Sequence, residues 1–273
     1  MDRRPVTPLP AFSARVRAGF AGGAAAYDHQ ATLQRAIAWR LAHACRSLPL
    51  PPGPAADLGA GTGLLARALA DQPQATSQAP GLLTPAGRAR DMLQLDLCTE
   101  LLARNPLATA TTSRVWVWDL EQGLPRELNG AAFLCSSFAL QWLSRPEAQL
   151  EHWCGRLAPG GWLTLAVPTA ASFPQWHRAA KRAGVPFTGL ALPEAADLEA
   201  VARRQLEVWR LQRLRFTRRG DGQQFLRQLC TLGAGTSAHP PLSTPQLRRL
   251  LQHWPAGDGV TWEVLLLIGQ RPK

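Results

Sequence analysis

The chain has 273 residues, 30 of them basic and 19 acidic, for a formal charge of +11. Its 46% hydrophobic and 18% charged residues describe a folded globular protein, with no apolar run near the roughly 18 residues of a membrane span. Five scattered cysteines with no CxxC spacing argue against a zinc site and a disulfide framework, and no signal-peptide core is present, so a cytoplasmic protein with reduced thiols is expected. After a proline-rich leader, residues 24 to 45 read as an amphipathic helix, with Leu33, Ile37, Leu41 and Cys45 spaced four apart. "PLPPGPA" at 49 to 55 breaks it. A short strand into Asp57, a glycine loop and a helix over 64 to 70 follow. Residues 72 to 90, with three prolines and two glycines, read as a surface excursion.

Strands are then expected at 91 to 96, 113 to 119, 131 to 137 and 162 to 168. "CTELLAR" should be helical, and so should "RPEAQLEHWCGRLAPGG", closed by Pro159-Gly160-Gly161. Short apolar strands alternating with helices predict an α/β fold, doubly wound around a parallel sheet. Beyond Pro168, helices are expected near 174 to 183, 194 to 201, 222 to 231 and 244 to 253, with a last strand from Val260. Between them lies "VARRQLEVWRLQRLRFTRRG" (201 to 220), seven arginines against one glutamate, with only partly regular apolar alternation. It reads either as a solvated face or as a surface that attracts an acidic partner.

The loop Gly59-Ala60-Gly61-Thr62-Gly63 lets a ligand approach the backbone ahead of a helix N-terminus. Its spacing is GxGxG rather than the GxGxxG of dinucleotide folds, and Asp57 stands two residues before it. That acid repels a pyrophosphate and suits a ligand with an ammonium group. Asp96 ends the second strand, where a carboxylate can take both ribose hydroxyls. Asp119 and Leu120 end the third, suited to an adenine amino group and its ring, and Ser136 and Ser137 end the fourth. Each aspartate alone could be a helix cap; their joint placement favours a site.

This set resembles the class I S-adenosylmethionine-dependent methyltransferases over residues 55 to 168. The resemblance implies a mostly parallel seven-stranded Rossmann-like sheet and S-adenosyl-L-methionine as methyl donor. It implies cofactor-binding roles for Asp57, Gly59, Ala60, Gly61, Gly63, Asp96, Leu97, Asp119, Leu120 and Ser136. The 33 residues from Gly63 to Asp96 exceed the family's usual interval, a surplus assigned to the 72 to 90 excursion. "FAGGAAAYDHQATLQR", "SSFALQWL", "SFPQWHRA", "FLRQLCTLGAG", "LSTPQLRRL" and "VTWEVLLLIG" occur in an order similar to that of the malonyl-acyl-carrier-protein O-methyltransferases of biotin synthesis. Departures are Ser137 where that family often has Asn, Trp262 where Tyr is frequent, and a first strand poor in bulky apolar residues.

That likeness implies residues 1 to 48 as a lid region, 49 to 170 as the cofactor core, and 171 to 273 as a substrate-side helical insertion plus final strands. It implies methylation of the free carboxylate of a malonyl thioester, with an acidic acyl carrier protein docking on Arg203 to Arg219 beside Arg178, Lys181 and Arg182. A carboxylate is already ionised at neutral pH, so no general base is needed. Methyl-site candidates are Tyr27 and Gln34. Substrate-side candidates are Ser137, Gln141, Trp142, His177 and Arg227; Tyr27 and Trp142 read almost as well as packed side chains, Arg227 equally well as an exposed one, and His177 more simply as a core or surface side chain. No metal is expected. Alternatives are a methyltransferase for another small carboxylate or a quinone-type acceptor, an RNA-binding or RNA-modifying methyltransferase, and a cofactor-binding protein without catalysis.

Overall fold

A computed structural model describes residues 11–73, 83–107, 114–257 and 259–273. Most of the leader, and residues 74 to 82 of the expected excursion, lie outside the described residues. The chain opens with α1 (Ala11–Gly23), α2 (Tyr27–Gln30) and α3 (Thr32–Cys45). The single helix expected over 24 to 45 is therefore broken, at Ala31 (φ −76°, ψ 48°). Tertiary contacts explain the break. The Asp28 carboxylate bonds the Thr62 hydroxyl at 2.5 Å and Arg67 at 2.7 Å, and α1 packs so closely that a Cβ on Gly23 would lie 2.7 Å from the Thr231 carbonyl oxygen.

Next come β1 (Ala55–Leu58), α4 (Leu64–Ala70), α5 (Pro85–Arg88), β2 (Leu93–Asp96), α6 (Thr99–Leu102) and β3 (Val115–Val117). β4 (Ala131–Ser137), α7 (Pro146–Arg156), β5 (Leu157–Pro168), α8 (Pro174–Ala183) and α9 (Ala195–Gln205) follow. The chain ends with β6 (Glu207–Arg218), α10 (Gly222–Thr231), α11 (Thr244–Gln252) and β7 (Val260–Gln270). α7 stops earlier than the Pro-Gly-Gly signal suggested, because Leu157 already pairs with Ala131 and the chain passes so close that a Cβ on Gly161 would lie 2.5 Å from the Ala131 carbonyl oxygen.

The described strands form one seven-stranded sheet in the order β3-β2-β1-β4-β5-β7-β6. β1 to β5 pair in parallel, and β7 runs antiparallel to both neighbours. Alternate strand residues face opposite layers. Leu58, Leu134 and Leu165 pack under α7 and α9, whereas Phe133, Cys135 and Ile268 pack under α3 and α4. The small residues of β1 are wholly buried between these layers. A register shift between Val208 and Arg210 accounts for the irregular alternation of β6, since it turns Val208 and Leu211 to one layer and Leu214 and Phe216 to the other. The strand order reverses at β1 and β4, and the crevice beyond their carboxyl ends is where open α/β sheets bind ligands. Among the described residues, no helix is long and apolar enough to cross a membrane.

Candidate cofactor and substrate site

A cavity of about 960 Å³, counting its solvent-open mouth, lies in that crevice. The size suits a nucleoside carrying an amino-acid tail. The three loop glycines have left-handed φ of 74°, 54° and 78°, for separable reasons. A Cβ on Gly59 would lie 2.2 Å from that of Ala139, and one on Gly63 would lie 2.4 Å from the Asn105 side chain. Gly61 is the one that faces open space, its nearest neighbours being Leu101 and Asp96 at 3.8 and 3.9 Å.

The loop amides are already committed. Those of Gly59 and Ala60 donate to the Leu95 carbonyl at 2.8 and 2.9 Å, Gly61 donates to the Asp96 carboxylate at 2.8 Å, and Gly63 donates to Ala60. A phosphate cradle needs such groups free. Carboxylates dominate instead: Asp57, Asp96, Asp119 and Glu121 line the cavity, and among the described residues Arg17 is the one lining cation. This balance selects a cationic ligand.

Each acid has a distinct posture. Asp57, 1% exposed, keeps its Oδ2 without a hydrogen-bond partner, and burial with the nearby Asp96 raises its pKa to about 7. Asp96 accepts the Gly61 amide on Oδ2 and the Cys98 amide on Oδ1, both at 2.8 Å, which fixes the carboxylate and leaves one lone pair per oxygen for a diol. Burial raises its pKa too. Asp119 caps the 3-10 turn Leu120–Gln122 through the Glu121 amide at 3.0 Å and lines the cavity as well, with burial raising its pKa. Leu97, Leu101 and Leu120 add apolar surface to the same cavity lining.

The sequence candidates divide on the structure. Tyr27, Gln34, Asp57, Gly59, Ala60, Gly61, Asp96, Leu97, Asp119, Leu120, Ser137 and Trp142 meet around the cavity. Ser136 does not: it is fully buried and its hydroxyl donates to the Leu58 carbonyl at 2.7 Å, so it braces β4 against β1. Gly63 caps α4 rather than lining the cavity. His177 stacks on Phe187 at 3.8 Å between ring centroids, partial burial lowers its pKa, and it lines neither chamber. Arg227 is exposed on α10, away from the chamber walls. Helix periodicity gave no way to choose the buried side of these two helices at a single polar position.

A second chamber adjoins the first through Phe20, Tyr27, Gln34, Phe138 and Trp142. Gln141 faces it; its amide nitrogen donates to the Phe138 carbonyl at 2.7 Å, while its Oε1 is buried without a partner. Phe173, Trp176 and Trp262 complete an aromatic wall, with Phe173 and Trp262 edge-to-face at 4.4 Å. Phe138 and Phe173 hold φ of 58° and 60°, a conformation that costs about 1–3 kcal/mol for a bulky residue and concentrates at functional sites. Sequence reasoning singled out neither, nor Phe20 and Arg17; the spacing of Ser13, Val16, Arg17 and Phe20 on one face of α1 was the available signal. Among the described residues, no group of three or more His, Cys, Asp or Glu is placed to hold a metal ion.

The sheet order and the acid-lined crevice define the class I methyltransferase fold. Solved structures share it: a protein named as a methyltransferase from Bacillus halodurans C-125 (TM-score 0.56, 12% identical, 86% of this chain and 98% of that one) and the YcgJ protein of Bacillus subtilis (TM-score 0.52, 13% identical, 88% and 98%). A [4+2]-cyclase, SpnF, shares it too (TM-score 0.51, 15% identical, 86% and 80%), so fold alone does not fix the reaction. In sequence, the chain is similar to malonyl-[acyl-carrier protein] O-methyltransferases. It is 32% identical over 260 residues to the biotin biosynthesis bifunctional protein BioCD of Bordetella avium, covering 93% of this chain and 52% of that protein. It is 36% identical over 158 residues to malonyl-[acyl-carrier protein] O-methyltransferase of Laribacter hongkongensis (56% and 50%), and 33% over 197 residues to that of Alcanivorax borkumensis (67% and 58%). The chain thus spans about half the length of the curated relatives it matches. No family model matches it.

Proposed function

We propose that the protein transfers a methyl group from S-adenosyl-L-methionine to the free carboxylate of a malonyl thioester, the step that would place it in biotin synthesis. The observation that carries this reading is the wall shared by the two chambers. Phe20, Tyr27, Gln34, Phe138 and Trp142 include no competent base. Burial, with Asp96 and Asp28 nearby, holds the Tyr27 phenol well above its ordinary pKa, so it stays a proton donor. The Cys98 thiol, pushed up to about 11 by burial, is no nucleophile at neutral pH. An acceptor that must lose a proton finds no base on this wall to take it, whereas a carboxylate arrives ionised.

Bound S-adenosyl-L-methionine supplies an electrophilic methyl on a sulfonium, and its transfer to a carboxylate oxygen breaks the carbon–sulfur bond and moves no proton. Asp57 and Gly61 would hold the amino-acid end, Asp96 the ribose diol, and Asp119 with Leu97 and Leu120 the base. The aromatic wall excludes water from the carboxylate, and Tyr27, Gln34 and Ser137 orient it without protonating it. The buried Ser137 hydroxyl, which has no partner among the described residues, would be available for that contact.

The test is incubation with isotopically labelled S-adenosyl-L-methionine and malonyl-carrier protein, followed by mass spectrometry of the acyl group. One added methylene, on a product that no longer titrates as an acid, is expected. A protein that binds the donor yet methylates a quinone-type acceptor and leaves the malonyl thioester untouched would overturn the proposal.

A further inference from the structure

A third concavity, a groove of about 1150 Å³ including open solvent, runs between the start of α3, the end of β6 and α10. Gln34 lines this groove and both chambers, and Leu229, Leu232 and Trp262 line the groove and the aromatic chamber. The groove therefore adjoins both chambers across these side chains. Its chemistry is graded along its length. Next to the chamber it is apolar, through Leu33 and Phe216; amide side chains, Gln224 and Gln228, follow. Arg218 and Arg219 stand at the end of β6, both exposed and without an ion pair among the described residues. The one acid there, Asp221, is engaged as the cap of α10 through the Gln224 amide at 2.7 Å.

The neighbouring arginines differ. Arg213 bonds Glu199 at 2.6 Å, Arg215 bonds Glu263 at 3.0 Å, and Arg210 lies over the Trp209 ring. The broad basic surface expected from sequence is thus divided: among the described residues Arg218 and Arg219 at the mouth of the groove, like Arg203 and Arg204 on α9, carry no ion pair. The cofactor cavity, lined by carboxylates, repels an anionic chain, so the groove is the approach such a chain favours.

We infer that this groove seats the 4′-phosphopantetheine arm of a carrier protein, its phosphate held by Arg218 and Arg219 and its amides lying along Gln224 and Gln228. Planar guanidinium groups match phosphate oxygens in pairs. The inference rests on the malonyl-thioester reading, and its test does not pass through methyl transfer. Binding of 4′-phosphopantetheine and of pantetheine to the intact protein is measured by calorimetry, for the wild type, for R218A/R219A and for R213Q/R215Q. The wild type should prefer the phosphorylated arm by roughly ten-fold or more, the scale of a charge-assisted contact. R218A/R219A should lose that preference, and R213Q/R215Q should keep it. Equal binding of the two arms by the wild type overturns the inference, and so does a preference that survives R218A/R219A. Tighter binding of coenzyme A than of phosphopantetheinylated carrier overturns the carrier as the arm's source. A phosphate preference in a protein that does not methylate malonyl thioesters would keep the arm site and sink the carboxyl-methylation reading instead.

Discussion

The cavity over β1, β2 and β3 and the chamber beyond β4 and β5 share a wall but are built by opposite means. In the first, ligand-facing groups come from consecutive strand ends and are held by the backbone: the Asp96 carboxylate is pinned by two amides, and the glycine loop by the Leu95 carbonyl. In the second, the wall comes from Phe20, Phe138, Phe173, Trp176 and Trp262, five side chains on distant segments, two of them on strained backbone. Fixed carboxylates suit a cation whose position must not vary. An apolar room suits an anion that reacts faster when stripped of water. On the proposed reading, the difference teaches that one fold edge serves two ligands of opposite charge by separating charged recognition from desolvation.

The sharpest break of this comparison falls in the glycine loop. Gly59→Ala must displace Ala139 as well as adopt a left-handed φ, whereas Gly61→Ala meets only the second demand. Gly59→Ala should cost about 3 kcal/mol or more and abolish donor binding, while Gly61→Ala should cost about 1–2 kcal/mol. Denaturant midpoints and calorimetric titration of both variants check this; equal effects would mean that the loop is held otherwise.

Asp57 gives the next largest effect. A cation bound beside it favours the ionised carboxylate, so donor affinity should rise as pH climbs toward about 7 and then level off, with proton release below that pH. The sign reverses for the protein without ligand. A folded-state pKa above the unfolded value gives stability that is present at acid pH and is lost as pH rises through about 7. Asp57→Asn should therefore weaken donor binding by roughly 10- to 100-fold, the scale of a charge-assisted contact, yet leave the unliganded protein at pH 8 as stable as the wild type or more so. A pH-independent donor affinity in the wild type would remove Asp57 from the recognition of charge.

The same contrast explains what the sequence could disclose. Asp57, Asp96 and Asp119 were legible because each lies at or just past the end of a short apolar strand, and strand ends converge by topology. Ser136 misled because adjacent residues at a strand end face opposite ways; it turns to β1, and Ser137 turns to the cavity. The chamber was not legible at residue level. Its rings lie in motifs whose order was recognisable, but which aromatic faces inward depends on the positive φ of Phe138 and Phe173 and on the dense packing of α1 through Gly19 and Gly23. Periodicity carries none of that. The division of the arginines was hidden for a similar reason, since the partners of Arg213 and Arg215, Glu199 and Glu263, come from α9 and β7.

Trp262→Phe sharpens the comparison from the other side. The ring lines the chamber and the groove but not the cofactor cavity, so the variant should raise KM for the thioester several-fold while donor affinity holds; a matching loss of donor affinity would merge the two sites. The smallest effects fall on the paired arginines, and they should be unequal. Glu263 is 4% exposed and bonded besides to the Thr169 hydroxyl at 2.9 Å, so Arg215→Gln strands a buried carboxylate at a cost of about 1–2 kcal/mol. Glu199 keeps 15% of its side chain exposed against 5% for Glu263, and Arg213→Gln should lower the thermal midpoint less than Arg215→Gln does. Equal midpoints for the two variants would show that solvent reaches Glu263 as freely as Glu199, and the end of β7 would then owe nothing to the arginine laid across it.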